Sequence, residues 1–249
     1  MSGEEGEAAE RQDLERLWKE EIAANVDSES TAIFDWWARL TAQYAENART
    51  YFNLEFLDNK AKWFYEIKDE LKSPTAVACA IIFQYFEYEP QSEDWREKNS
   101  EHFKEFATEV QLDDDKTRKT IELLDASKTS ITEEHQSEGA FGSEDIHFFL
   151  DLDMVYLGAD APEYRTQSDK MRQEYSFLRS DQYNSLRLKI LQSFLLIPNI
   201  YVTSTFREKF EEKARKNINQ EIEYLLSHPE SLGFKEDGFQ EEMFRYIIP

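Results

Sequence analysis

The chain has 249 residues, enough for one large domain or two small ones with a sizeable core. Its 52 acidic residues against 29 basic ones leave a net charge of −23, which repels nucleic acid and anionic membranes. The single cysteine, Cys79, excludes an internal disulfide; in its apolar run it reads as a packing residue of a protein in a reducing compartment.

The opening "MSGEEGEAAE" has neither a positive n-region nor an apolar h-region, so it does not read as a signal peptide. Residues 1–9 read as a disordered acidic lead-in, and 10–249 as one helical domain. No apolar run approaches the ~18 residues that cross a bilayer. The expected setting is cytosol or nucleus, and the protein is not expected to be secreted.

Apolar residues at helical spacing run through "LERLWKEEIAANV" (14–26), "TAIFDWWARLTAQYA" (31–45) and "LEFLDNKAKWFYEIKDEL" (54–71). Ser73 followed by Pro74 is an N-cap with proline at the first helical position, opening the helix "TAVACAIIFQYFEY" (75–88), which runs out at Pro90. Within that apolar helix Gln84 and Tyr85 are out of place. Further helical stripes lie in "KTRKTIELLDASK" (116–128) and "SLRLKILQSFLL" (185–196). Between them, "TEEHQSEGAFGSED" (132–145) is polar, holds two glycines and reads as a long loop. Thr205 and Glu208 form a capping box. Behind it Phe206, Phe210, Ala214, Ile218, Ile222 and Leu225 make one apolar stripe. Strand-type alternation is nowhere sustained. The fold class is all-α, a compact bundle of eight to eleven helices.

Several chemistries are excluded or disfavoured. None of the seven glycines falls between Gly6 and Gly139, so that half holds no phosphate-cradling loop. His102, His135, His147 and His228 include no pair at metal-ligand spacing and read as solvated. "LDDDK" (112–116) and "DLDMVYLGAD" (151–160) do not fit a calcium loop, and the former reads as the acidic start of a helix. No nucleophile elbow or Cys/His pair occurs. "FFLDLDMVYLG" (148–158) stands apart, because Asp151 and Asp153 interrupt an apolar run and buried carboxylates need partners. Either they end a helix, with one capping it or meeting an arginine, or they belong to a site.

Six blocks in fixed order, "RTYFNLEFL" (49–57), "FQYFEYEP" (83–90), "ASKTS" (126–130), "FLDLDMVYLG" (149–158), "MRQEY" (171–175) and "ARKNINQE" (214–221), carry a resemblance. They resemble the predicted metal-dependent HD-superfamily phosphohydrolases, whose corresponding patterns are R-x-Y-H-N-L-x-H-L, F-H-D-x-V-Y-D-P, A-T-x-x-H, F-L-D-x-D-L-x-x-L-G, I-R-x-E-Y and A-R-x-N-L-x-x-E. The likeness is strongest over 49–225 and implies an HD-domain-like helical bundle. In that family imidazoles and carboxylates hold a divalent metal whose water attacks a phosphate ester.

The departures fall on the ligands. Phe52 and Phe56 stand where the first block has histidines, Gln84-Tyr85 replaces the His-Asp pair, and Ser130 replaces the later histidine. Asp151 and Asp153 alone match. The resemblance therefore implies a degenerate metal site with no bound metal or other cofactor and no catalytic residue. Arg172, Arg187 and Arg215 are expected either to pair with Asp151 or Asp153 or to persist as a vestigial phosphate clamp.

The reading is a catalytically inactive HD phosphohydrolase-like scaffold that binds a protein partner, and neither nucleic acid nor membrane. Two alternatives stand beside it. One is a divergent phosphohydrolase holding Mn, Mg or Fe on Asp151, Asp153 and Glu87 or Glu97. The other is a nucleotide or phosphate sensor without turnover.

Overall fold

A computed structural model describes residues 12–26, 30–92, 94–129 and 131–232. The acidic lead-in over 1–9 and Ser130 lie outside the described residues. Among the described residues every regular element is helical and no strand occurs. None of these helices is long and apolar enough to cross a membrane. The described residues group into two compact units, one formed by those up to 128 together with 144–152 and the other by those of 129–143 and from 153 onward.

The first unit holds α1 (Gln12–Arg16), which continues into a π-helical turn Leu17–Ile22, then α2 (Ala32–Tyr44), α3 (Leu54–Ile67), α4 (Pro74–Phe83), α5 (Trp95–Glu109) and α6 (Asp114–Ala126). It also takes residues 145–152 of α8 (Asp145–Met154). Helix α4 is apolar all round, so it can only be a core helix; every residue from Thr75 to Phe83 is buried. Pro74 opens it as expected, but the Ser73 side chain makes no cap bond. Instead the Asp145 carboxylate accepts the main-chain N–H groups of Lys72 (2.7 Å) and Ser73 (2.9 Å). Asp113 caps α6 by accepting from the N–H groups of Asp115 and Lys116, the role expected of the acidic run.

α4 stops at Phe83, short of the expected end at Tyr88. Side chains take over the main-chain bonds there. Asn99 Nδ2 donates to the carbonyls of Gln84 (2.7 Å) and Glu87 (3.0 Å), and its Oδ1 accepts the Glu87 N–H (2.6 Å). Arg49 donates to the carbonyls of Tyr85 (2.6 Å) and Phe86 (2.5 Å). A helix whose last carbonyls are claimed by buried side chains has no need of another turn.

The second unit holds α7 (Glu133–Gln136), α9 (Ala161–Glu174), α10 (Ser180–Leu196) and α11 (Ser204–Ser227). The 132–145 stretch thus contains a short helix inside the expected loop. Thr132 and His135 form its capping box, with the Thr132 N–H donating to His135 Nδ1 at 3.0 Å. His135 is buried rather than solvated, and so, in the first unit, is His147, whose Nδ1 accepts the Glu144 N–H. Helix α11 begins two residues earlier than its capping box suggested, because Thr203, not Thr205, accepts the Phe206 N–H. Its stripe from Phe206 to Leu225 is buried throughout. Gly158, in a 3-10 turn after α8, lies so close to α11 that a Cβ there would meet Phe210 at 2.6 Å.

Candidate functional site

The first unit brings four of the expected positions together. Asn53 caps α3, accepting the Phe56 N–H, and this fixes Phe52 just outside the helix. The Phe52 ring stacks on Tyr85, centroids 4.1 Å apart and planes 24° from parallel. Phe56 meets both rings edge-on, at 5.1 Å from Phe52 and 5.6 Å from Tyr85. Tyr88 packs on Phe52 at 4.4 Å, and Trp95 lies 5.7 Å from Tyr85. Phe52 and Tyr85 are almost fully buried. The cluster has the offset and edge-to-face contacts that aromatic quadrupoles favour.

Gln84 is buried as well, and its Oε1 accepts a 2.8 Å hydrogen bond from Lys60 Nζ. Lys60 is only 3% exposed. Its ammonium stands 5.3 Å from the Phe56 ring, 5.7 Å from Tyr85 and 5.3 Å from Phe149. Three ring faces and an amide oxygen make a cation cage, a setting in which desolvation strengthens the cation–π attraction. Lys60 was missed in the sequence. The signal was present, since it lies three residues after Leu57 and four before Phe64, on the apolar stripe of α3.

Asp151 is fully buried in the last turn of α8, and Asp153 in the same turn is 3% exposed. Glu87 and Glu97, the other candidate acids, have partners of their own: His102 Nε2 stands 3.1 Å from Glu87, and Lys128 Nζ 3.3 Å from Glu97. Among the described residues no three His, Cys, Asp or Glu side chains gather so as to hold a metal ion. Aromatic rings offer no lone pair and an ammonium repels a second cation. The side chains assembled around Gln84 do not fit a divalent metal. Beside them a cavity of about 10 Å³, lined by Gln84, Tyr85, Trp95, Arg96, Asn99, Leu124 and Ser127, has room for about one water.

The three arginines lie in the second unit, and each has acceptors other than the two aspartates. Arg172 donates to the carbonyls of Tyr175 (2.9 Å) and Leu178 (3.1 Å). Arg215 bonds Glu211 (2.7 Å) and the carbonyls of Ile197 and Pro198. Arg187, 1% exposed, makes a bidentate pair with Glu221 at 2.8 and 3.0 Å and reaches the hydroxyls of Tyr156 and Tyr164. Burial disfavours the Arg187 charge, but the nearby Tyr156 and Glu221 oxygens outweigh it and hold the guanidinium protonated. Burial likewise pushes up the Glu221 carboxyl, yet Arg187 and a hydrogen bond from Tyr164 bring it below the ordinary glutamate value. Each of these arginines thus has acceptors within its own unit, and that of Arg187 is Glu221, the last residue of the "ARKNINQE" block.

No protein-family model, no curated protein and no solved structure matches the chain.

Proposed function

We propose that the protein is a catalytically inactive relative of the HD-superfamily phosphohydrolases that acts as a protein-interaction scaffold. The observation that carries this reading is the Phe52–Tyr85 stack, which puts two buried rings at positions where the resemblance implies a histidine and an aspartate. Rings stacked on one another occupy the space that an ion and its waters would need. A phosphate clamp is disfavoured by the same logic, because Arg172, Arg187 and Arg215 already have protein acceptors. Partner binding then falls to the exposed surface rather than to this cluster.

The test is metal content and phosphate release on the purified chain. The expected result is no stoichiometric manganese, iron, zinc or magnesium, and no phosphate freed from nucleotides or simple phosphate esters above a no-enzyme control. Metal-dependent hydrolysis abolished by Asp151→Ala would replace the scaffold reading with a variant enzyme.

A further inference from the structure

We infer that Lys60 is the built-in cation of this site and that its ammonium neutralises Asp151, the task a metal ion performs where ligand sets of this kind are intact. The inference rests on the reading of the site as metal-free and adds the group that makes the loss of metal tolerable.

A buried carboxylate without a compensating charge costs several kcal/mol, so Asp151 at 0% exposure needs a cation nearby. Among the described residues of the first unit, the buried lysine and arginine side chains are Lys60 and Arg49, and the buried carboxylates are Glu21 and Asp151. Glu21 is paired with Lys68. Arg49 donates to the carbonyls of Phe52, Tyr85 and Phe86, and its Nε lies 4.0 Å from the Glu46 carboxylate. Lys60, a buried ammonium of the same unit, matches Asp151 in both charge and burial. Position agrees with charge. The ammonium lies 5.3 Å from the ring of Phe149 on α8, the helix that carries Asp151. It is held there by Gln84 Oε1, the side chain standing where the family pattern has histidine. Gln84 thus serves the lysine: a neutral amide oxygen accepts from an ammonium, whereas a protonated imidazole would repel it.

The experiment is a double-mutant cycle with Lys60→Met, Asp151→Asn and the two combined, read by thermal unfolding with and without millimolar manganese. Each single change leaves one buried charge alone and is expected to lower Tm by roughly 10 °C. The double variant should lose clearly less than the two single losses added together. Additive losses would overturn the pairing. Should a single variant fail to fold, the wild type supplies the second measurement. Its Lys60 nitrogen should show the NMR shift of a protonated ammonium in slow exchange with water, and a neutral or fast-exchanging amine overturns the proposal. A manganese-induced rise in wild-type Tm would instead sink the metal-free reading itself, because a ligand bound only by the native state raises its stability.

Discussion

Arg49 donates a 2.6 Å hydrogen bond to the carbonyl of Tyr85, tying the turn that carries Phe52 to the residue on which Phe52 stacks. Backbone and side chain therefore converge on one contact. The guanidinium holds the chain at the end of α4, and the ring pair fills the space that this positioning creates. Both partners of the stack thus share Arg49, which donates to the main-chain carbonyl of each.

Truncation of Phe52 to alanine should accordingly open a void in a packed aromatic cluster. The expected loss is about 3–5 kcal/mol, the range for a buried phenylalanine whose surroundings cannot collapse. Urea denaturation of Phe52→Ala beside the wild type measures it. A loss below about 1 kcal/mol would be incompatible with a ring buried in the core.

The helical class was legible because periodic stripes survive whatever a site does; Phe206 to Leu225 could be placed on a buried face from spacing alone. The end of α4 was not legible, since it is set by Asn99 and Arg49, residues distant in sequence that supply bonds no local pattern encodes. Thr132 and His135 show the same limit on a smaller scale. A polar stretch with glycines reads as loop, but an imidazole accepting the Thr132 N–H creates a helical turn. The resemblance singled out Phe52, Gln84 and Tyr85, which share one buried cluster, but not Lys60, because a lysine between Asn59 and Ala61 reads as surface. Only the burial of Leu57 and Phe64 on the same stripe marks it as internal.

Acid should destabilise the protein partly through Glu221. Its folded-state pKa is depressed below the unfolded value, so its contribution is fully present above the ordinary glutamate value of about 4.3 and is lost as pH falls through the folded value. Urea midpoints from pH 7 to pH 3 should fall more steeply for the wild type than for Glu221→Gln, which has no carboxylate to protonate. The variant should also be weaker at pH 7, where it leaves the buried Arg187 without its anion. Parallel pH curves for the two proteins would remove Glu221 as a source of acid sensitivity.

Reconstruction of the family ligand pattern tests resemblance and site together. Phe52→His, Gln84→His, Tyr85→Asp and Ser130→His would return imidazoles and a carboxylate to the positions named by the sequence blocks, with Asp151 and Asp153 already present. With Lys60 retained, its ammonium still stands among those ligands, and electrostatic repulsion should keep metal occupancy low. Adding Lys60→Met removes that charge, and the five-fold variant should retain close to one manganese per chain after dialysis. Uptake of one metal by the four-fold variant would mean that the ammonium does not compete for the site. Failure of both variants to take up metal, with folding intact, would count against the six-block resemblance, because the backbone would then lack the geometry that the resemblance implies. Phosphatase activity is a stricter demand. Catalytic groups must be held to within about 0.5 Å, and restoring ligand types does not by itself set that placement.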